Sequence, residues 1–345
     1  MRHVCIAVAT SLLICSRLAG GSAFPAQSTD SEIETDCLGA LQIDDLLGRG
    51  RNALVFKAHM VANPAAVYAV KASDAADQLS REAEVLLALN ETEGFPHYFC
   101  SGPGFIVMEL LSGYKSLAAL QAAKSEPPLP IEDIAIALID RLQAVHAAGF
   151  VHVDVHKRNI MVSSEGVALI DFGLAVRVSE HKNPEYVNVF LSSFFEQIGK
   201  PLHPIDDIER LMYVLLHFGY GPLPWASLMR MHETIEREQQ PTKEVIAVKL
   251  ELEKAIVQLK TELSTDEGSE YFERNDVPSG FQLILKYVAD MRPVRESASF
   301  SLDYNYLRSV LRADKEAPLP VRQLRETTEF PEVMGPSLLP VGSRS

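Results

Sequence analysis

The chain has 345 residues, of which 47% are hydrophobic and 23% charged. This is the composition of a folded globular protein, and at about 150 residues per domain the length allows two lobes or two modest domains. The formal net charge is −14, and the sequence contains no strong cluster of basic residues. We therefore expect no nucleic-acid partner and no binding to membranes through a polybasic surface.

The first 23 residues have the layout of an export signal. Arg2 supplies a positive charge, residues 4–15 are almost entirely apolar, and residues 21–23 offer small side chains at a cleavage site. An uncleaved anchor is the alternative, but the apolar core is too short to span a bilayer comfortably. We expect residues 1–23 to be a signal peptide, the mature protein to have no membrane span, and its location to be the secretory pathway or the exterior.

Removal of that segment leaves two cysteines, Cys37 and Cys100. In an oxidising compartment they could form one disulfide bond, although two buried thiols are an equal alternative. Residues 24–40 are predicted to be a linker. Residues 314–345, with five prolines among charged and small residues, are predicted to be a flexible tail. The folded unit is then residues 41–313.

The first part of the folded unit has the signals of a small β-sheet that carries one helix. Residues 54–56 and 66–70 are short apolar runs rich in β-branched and aromatic side chains, divided by the turn-forming pair Asn63-Pro64. Apolar residues at a spacing of three to four predict a helix over residues 79–89. Residues 105–108 predict another buried strand.

The later part of the folded unit is mainly helical. Residues 132–148 and 205–218 each place apolar side chains on one face of a helix. Between them, residues 160–162 and 167–170 are short apolar runs that predict a hairpin.

Strands first and helices later indicate an α+β protein with two lobes. The small β-rich lobe is predicted over residues 41–112 and the larger, mostly helical lobe over residues 113–313. An apolar helical stripe over residues 245–263 is predicted to pack on the larger lobe, and the alternative is that it receives a helix from a partner.

The first motif that indicates a chemical function is a glycine-rich turn at residues 48–55, which leads into a strand. Gly48 and Gly50 would allow the backbone to close over phosphate groups, because no side chain blocks the approach. Taken alone, such a turn is more often only a hairpin, and Ala53 occupies the position of a third glycine.

The second motif is Lys71, at the end of a predicted strand and 21 residues after Gly50. An unpaired buried ammonium is costly, so the lysine needs a partner. Glu82 on the following helix is the natural candidate. The alternative is a lysine that extends its charge to solvent at the end of the strand.

Two further motifs flank the predicted hairpin. Asp154 and Asn159 lie five residues apart in the loop before it, where one oxygen could face an incoming hydroxyl and another a metal ion. Residues 171–173, Asp-Phe-Gly, follow the hairpin directly. The two strands would return Asp171 to the neighbourhood of Asn159, which would give hard oxygen ligands suited to Mg²⁺.

These four motifs occur in an order, at separations and in strand or helix contexts that agree with one another. In this order they resemble the glycine-rich loop, strand lysine, catalytic loop and Asp-Phe-Gly motif of the protein kinase family. The resemblance covers residues 41–313 and implies a bilobal protein-kinase-like fold. Residues 107–111, 206–211 and 301–308 are similar to the hinge, buried helix and final helix of casein kinase I, which implies a divergent casein kinase I-like member.

The resemblance implies an ATP-dependent protein kinase, of serine/threonine type, that acts on a protein substrate with Mg²⁺ or Mn²⁺. Lys71 would bind the α- and β-phosphates while paired with Glu82. Asp154 would accept the proton of the substrate hydroxyl or orient that hydroxyl. Asn159 and Asp171 would hold the metal. The other residues expected to contact the nucleotide are Gly48 and Gly50 in the loop, Val55, Ala69 and Met161 around adenine, Met108 at the back of the pocket, and Glu109 and Leu111 through their backbones.

Three departures from the family pattern bear on the chemistry. Val153 replaces the arginine through which a phosphorylated segment commonly acts, so we expect no activation of that kind. Ala53 in place of the third loop glycine is expected to weaken nucleotide handling. His156 occupies the position of a lysine that meets the transferred phosphate.

Two residues could supply the charge that the missing lysine would carry. We expect Arg158 to take this role, the alternative being a solvated surface charge. A protonated His156 is the other candidate.

A different class of function is a secreted pseudokinase that binds nucleotide as a scaffold or regulator, and a kinase of small molecules is a third. The five polar residues that catalysis needs are all present, which favours an enzyme. They are Lys71, Glu82, Asp154, Asn159 and Asp171.

Overall fold

The computed structural model describes residues 32–184, 187–237, 242–297 and 300–316. The predicted signal peptide and residues 317–345 of the predicted tail lie outside the described residues. By its internal contacts the chain divides into two compact units. The first comprises the residues up to Tyr114 together with Ala168–Ala175, and the second comprises Lys115–Val167 and the residues from Val176 onward.

The first unit is built on one antiparallel sheet of six strands, in the order β1-β2-β3-β4-β6-β5. The strands are β1 (Glu32–Thr35), β2 (Gly39–Arg49), β3 (Ala53–Met60), β4 (Asn63–Ser73), β5 (Tyr98–Gly102) and β6 (Phe105–Glu109). The single helix described in this unit is α1 (Ala76–Ala88). The helix buries Leu79, Glu82, Val85 and Leu86, which is the face that the three-to-four spacing predicts.

Residues 32–40 were expected to belong to a linker, and this prediction is wrong for them. They form β1 and the turn into β2, and Ile33 pairs with Leu41 and joins the buried apolar cluster on the sheet. Cys37, in the turn, is bonded to Cys100 on β5, so of the two alternatives for these cysteines the disulfide is the one present. This short strand is hard to predict from its mostly polar side chains, because pairing with β2 needs only one apolar residue facing the core.

The turn between β3 and β4 also differs from the prediction. It lies at residues 61–62, whereas Asn63 and Pro64 begin β4. Proline is tolerated here because β4 pairs with β6 only from Tyr68 onward, so no bond to β6 requires a backbone N–H at Pro64.

The second unit is mostly helical. Its described helices are α2 (Leu117–Ala122), α3 (Ile131–Ala147), α4 (Phe194–Gln197), α5 (Pro204–Gly219), α6 (Ala226–Glu236), α7 (Lys243–Leu263), α8 (Ser269–Arg274), α9 (Ser279–Met291) and α10 (Tyr304–Glu316). Five short strands lie among them: β7 (Lys115–Ser116), β8 (Phe150–Val151), β9 (Ile160–Ser163), β10 (Gly166–Leu169), which begins in this unit, and β11 (Val176–Arg177). β7 pairs with β9, and β8 with β11.

The helical core of the second unit is centred on α3, which packs against α5 and α10. Four apolar side chains at the predicted spacing are completely buried: Ile134, Leu138, Leu142 and Val145. Gly149 follows the helix with a φ of 87°, a conformation that glycine adopts without strain at the end of a helix. Since α10 continues to Glu316, the tail begins later than the predicted residue 314.

The predicted apolar stripe of α7 is fully buried only in its C-terminal half, whereas Val245 and Leu252, nearer the start of the helix, are part-buried. Ile256 and Leu263 are buried in the C-terminal half, whereas Ile246, Val248 and Leu250 are about half exposed. No helix in the described part of the chain is both long enough and apolar enough to cross a membrane.

The division between the units lies two residues from the predicted lobe boundary, but residues 168–175 belong to the first unit instead of the second. The Leu169 N–H donates to the carbonyl of Gly94 at 3.0 Å. The rings of Phe172 and Phe95 lie 5.9 Å apart between their centroids. These contacts attach the Asp-Phe-Gly segment to the sheet unit.

Candidate active site

In the first unit, Lys71 lies at the centre of a buried charged cluster. Its Nζ donates to Glu82 Oε2 at 2.5 Å and to Asp171 Oδ1 at 2.8 Å. The predicted pairing with Glu82 is therefore present, and the alternative of a solvated ammonium is wrong, since Lys71 is only 8% exposed. The register of β4, with Lys71 opposite Val55 and Ile106, points the side chain to the face that carries α1.

The electrostatics of this cluster keep Lys71 charged. Burial lowers the pKa of Lys71, but the charges of Asp171 and Glu82 outweigh burial and raise it above its ordinary value. The Lys71 side chain therefore carries a positive charge at neutral pH.

Asp171 occupies an unusual backbone conformation, with a φ of 66°. Its carboxylate is held by Lys71 and accepts a 3.4 Å hydrogen bond from the N–H of Gly173. The side chain is still 44% exposed. A positive φ at a non-glycine residue costs about 1–3 kcal/mol and is typical of functional positions, so Asp171 is an exposed, fixed carboxylate beside a buried ammonium.

The glycine-rich turn lies between β2 and β3, where Gly48 pairs with Val55 and the N–H of Gly50 donates to the Ala53 carbonyl at 2.8 Å. A Cβ added at Gly48 would meet no atom within 4 Å, and at Gly50 the nearest would be the Ala53 oxygen at 3.4 Å. Neither glycine has a positive φ. Packing and backbone geometry therefore tolerate a side chain at both positions, and the bare backbone fits the approach of an external group such as a phosphate.

The expected adenine-binding residues of this unit lie on three neighbouring strands. Ala69 and Met108 face each other across β4 and β6 and are both buried. The N–H of Glu109 donates to the carbonyl of His97 at 2.8 Å, so Glu109 can offer a ligand its carbonyl but not its N–H. Leu111 follows β6, and its carbonyl accepts from the N–H of Tyr114 at 3.3 Å.

The second unit holds the remaining predicted residues. Met161 lies on β9, opposite Ser116 of β7. In the loop before β9, Asn159 is buried, and its Nδ2 donates to the Asp154 backbone oxygen at 3.0 Å and to Asp154 Oδ2 at 3.1 Å. In this orientation the Asn159 Oδ1, which is the atom that can bind a hard cation, takes no part in the hydrogen bonds to Asp154.

His156 faces Asp154 within the same loop. The backbone N–H of Arg158 donates to His156 Nδ1 at 3.3 Å, which assigns the proton of the neutral ring to Nε2. That atom lies 3.6 Å from Asp154 Oδ2. The side chain of Arg158 is exposed, and it forms no ion pair with any residue in the described ranges.

Asp207 on α5 fixes the backbone of this loop. Its buried carboxylate accepts the N–H groups of His152 at 2.7 Å and Val153 at 2.9 Å. Val153 has a φ of 70°, which is strained for a β-branched residue and costs about 1–3 kcal/mol. The two hydrogen bonds therefore hold the loop in a conformation that it would not adopt alone.

Sequence reasoning missed the support of Asp207. The Nε2 of His146 lies 2.9 Å from Asp207 Oδ2, and its Nδ1 lies 2.6 Å from the hydroxyl of Tyr304. Burial raises the pKa of Asp207, but the hydrogen bond and charge of His146 and the contacts with His152 bring it below its ordinary value. No local pattern links these residues, because they lie on helices far apart in the chain.

Mg²⁺ and ATP fit the donor groups that the two units present separately. Asp171 offers an exposed carboxylate and Asn159 an amide oxygen, and Mg²⁺ is usually bound by one or two such groups together with substrate phosphates. Lys71 and the open glycine backbone are suited to phosphate oxygens.

A six-stranded sheet with one helix, followed by a mostly helical part, is the protein kinase fold when it carries these motifs in this order. Residues 41–195 match the family described as the protein kinase domain. Over 153 residues the chain is 29% identical to a protein of Dictyostelium discoideum that is named a probable serine/threonine-protein kinase. That alignment covers 39% of this chain and 30% of the relative's length.

Proposed function

We propose that the protein is an ATP-dependent kinase that transfers the γ-phosphate of ATP to serine or threonine hydroxyls of protein substrates. The observation that carries this proposal is the buried Lys71 ammonium between the carboxylates of Glu82 and Asp171. A buried ion cluster contributes little to stability, whereas the Lys71 ammonium that it fixes in place is a group that an anionic phosphate requires. The family match and the name of the relative support the same activity.

Each residue of the cluster and the glycine turn would have a distinct task. Lys71 would bind the α- and β-phosphates, and Glu82 would keep its ammonium in place. Gly48 and Gly50 would let phosphate oxygens approach the backbone of the turn, because neither residue has a side chain. The apolar residues Val55, Ala69, Met108 and Met161 would line the adenine site, with backbone hydrogen bonds from Glu109 and Leu111.

In the second unit, Asp154 would orient the substrate hydroxyl and accept its proton. Asn159 and Asp171 would hold Mg²⁺, whose chemistry is to neutralise charge on the phosphate oxygens. Arg158 is proposed to supply the positive charge for the transferred phosphate, because its exposed side chain has no ion pair within the described residues. His156 is instead directed at Asp154.

We further propose a divergent casein kinase I-like subtype. The support is the sequence of residues 107–111, 206–211 and 301–308, together with the buried position of Asp207. The preference of casein kinase I relatives for acidic or phosphorylated substrates is not proposed for this chain, because Pro204 and Ile205 occupy the positions where those relatives have an arginine pair.

The decisive experiment is transfer of labelled γ-phosphate to a broad protein mixture, with Mg²⁺ and then with Mn²⁺. Asp154→Asn should lower transfer by about 10²–10⁴-fold through loss of the proton acceptor. Arg158→Ala should lower the single-turnover rate by about tenfold or more through loss of charge at the phosphate. Asp266→Asn, on the exposed surface, is the matched control, and hydrolysis of the labelled protein identifies the acceptor amino acid.

Two results would contradict the proposal. Equal labelling by the wild type and Asp154→Asn would exclude catalysis by this loop. Stabilisation by ATP and metal in a thermal melt, without any labelling, would indicate a nucleotide-binding scaffold.

We also propose that the protein enters the secretory pathway. The support is the signal-like segment at residues 1–23 and the Cys37–Cys100 disulfide, which is typical of oxidising compartments. When the full chain is made in a secretory host, the protein in the medium should begin at Phe24, and both cysteines should resist alkylation until reduced. Reduction should lower the free energy of unfolding by about 2–4 kcal/mol. Retention in the cytosol with both thiols reactive would be incompatible with export.

A further inference from the structure

A lysine interrupts the buried apolar face of α7. Lys260 lies four residues after Ile256 and three before Leu263, and all three side chains are fully or almost fully buried. This helix belongs to the stretch between Trp225 and Phe281. A lysine at a core position of such a helix needs a reason, because lysine is almost never fully buried without a partner.

The ammonium of Lys260 binds one short segment of the chain. Its Nζ donates to the Val189 carbonyl at 2.9 Å, to the Ser192 carbonyl at 2.7 Å and to Gln197 Oε1 at 2.8 Å. An ammonium has three N–H donors, so these three acceptors satisfy it. The Nε2 of Gln197 in turn donates to the carbonyl of Glu253 on α7 at 3.0 Å, which fixes the amide in the orientation that Lys260 needs.

The remaining surroundings of Lys260 are aromatic. The ring centroids of Tyr213 and Trp225 each lie 5.5 Å from Nζ. Burial lowers the pKa of Lys260 to about 7, against the opposing charges of Glu209 and Glu196. Among the described residues no carboxylate lies within ion-pair distance of Nζ. An apolar side chain would fill this position at lower cost, so the charge serves the contact with the segment.

Residues 189–197 form what we call the anchored segment. Other permanent contacts fix it as well: Trp225 Nε1 donates to the Phe190 carbonyl at 2.8 Å, Ser193 Oγ to Asp206 Oδ1 at 2.7 Å, and the N–H of Phe194 to Glu209 Oε1 at 3.1 Å. Ser192 and Ser193 have no exposed surface. The segment is therefore held by unmodified side chains and not by an added phosphate group. Its two serines are inaccessible to a modifying enzyme.

The anchored segment is bonded to α5, the helix whose Asp207 accepts the N–H groups of the loop that carries Asp154. Glu196 in the segment pairs with Arg210 on α5, and both side chains are buried. Burial lowers the pKa of Arg210, but the charges of Glu196 and Asp154 raise it above its ordinary value. A shift of the segment would therefore act on α5 and, through Asp207, on the loop at Asp154.

We propose that Lys260 is a positioning residue that holds residues 189–197, and through their bonds to α5 the loop at Asp154, in the arrangement that transfers phosphate, without phosphorylation of that segment. The catalytic part of this inference rests on the proposed kinase function. The anchoring part does not depend on it.

The test compares Lys260→Met, which keeps most of the apolar stem and removes every N–H donor, with Lys243→Met, which removes an exposed lysine from the same helix. In the full chain, the amides of residues 189–197 should exchange hydrogen about tenfold faster in Lys260→Met and at the wild-type rate in Lys243→Met. With a library of serine, threonine and tyrosine peptides as acceptors, Lys260→Met should lose about tenfold in kcat. The KM for ATP should stay within about twofold.

A milder variant keeps the test decisive if Lys260→Met does not fold. Gln197→Leu removes one of the three acceptors and leaves the charge in place, and it should show a smaller change in the same two measurements. Unchanged exchange of residues 189–197 in a folded variant would overturn the anchoring role. Faster exchange with an unchanged kcat would overturn the connection to Asp154.

Failure of the proposed function gives a different result. If the wild-type chain labels no peptide, the kinase activity and the catalytic part of the inference both fail, and hydrogen exchange alone then decides whether Lys260 anchors the segment.

Discussion

Lys71→Met is expected to abolish phosphate transfer and to lower the free energy of unfolding by about 3–5 kcal/mol, the usual cost of removing one partner from a buried ion pair. The loss of stability arises because Glu82, almost completely buried, and Asp171 are left without the ammonium that both contact. Urea unfolding, a thermal melt with and without ATP, and labelling with γ-phosphate measure the three consequences separately.

A second substitution distinguishes the two roles of Lys71. Glu82→Gln in the Lys71→Met background removes the uncompensated buried charge and keeps an acceptor, so it should recover about half of the lost stability. It should not recover transfer or stabilisation by ATP, because the positive charge is still absent. Lys57→Met, on the neighbouring strand β3, is the matched control and should change stability by less than about 1 kcal/mol. Recovery of transfer in the double variant would show that Lys71 acts only through Glu82.

The second large effect is expected from Asp207→Asn. Asparagine supplies one acceptor oxygen and an NH₂ group, whereas His152, Val153 and His146 all direct nitrogens at the carboxylate of Asp207. At least one backbone N–H would face a donor, and the free energy of unfolding should fall by about 2–4 kcal/mol. The loop at Asp154 would relax as Val153 leaves its positive φ, and a displacement of this kind costs about 100-fold in kcat.

Val153→Gly tests whether backbone strain connects Asp207 to catalysis. Glycine adopts a φ of 70° without steric cost, so Val153→Gly should restore part of the kcat that Asp207→Asn loses. Asp140→Asn, which breaks an ion pair with Arg308 at the surface, is the control and should change stability by less than about 1 kcal/mol. A kcat for Asp207→Asn equal to that of the wild type would refute the role of this carboxylate.

The periodicity of apolar residues was sufficient to predict the helices and strands that bury one continuous face. The helices α1, α3 and α5 and the strand β6 begin and end within a few residues of their predicted positions, because the spacing of apolar side chains along the chain determines which face can be buried. The pairing of Lys71 with Glu82 was predictable for a related reason. A buried lysine requires a partner, and the next helix offered an acidic residue on its buried face.

Elements that depend on distant partners could not be predicted in this way. β1 buries Ile33 and Thr35, one on each side of Glu34, and of the two only Ile33 is apolar. It becomes a strand only because β2 and the disulfide at Cys37 hold it. Pro64 is a residue typical of turns, yet it lies in β4. The first residues of β4 form no backbone hydrogen bonds with β6, so proline is tolerated there.

The sequence by itself determined the order of the motifs, the β-rich and helical halves, and the need for a partner at Lys71, since all of these follow from spacing and from the cost of burying charge. Only the tertiary structure decided that Asp171 belongs with the sheet unit, that His146 and Tyr304 support Asp207, and that Lys260 faces residues 189–197. One signal of the last contact was present, a lysine in the apolar stripe of α7. Two of its acceptors are the backbone carbonyls of Val189 and Ser192. Every residue possesses such a group, so which carbonyls are bound is set by the path of the chain in three dimensions and leaves no mark in the side-chain sequence.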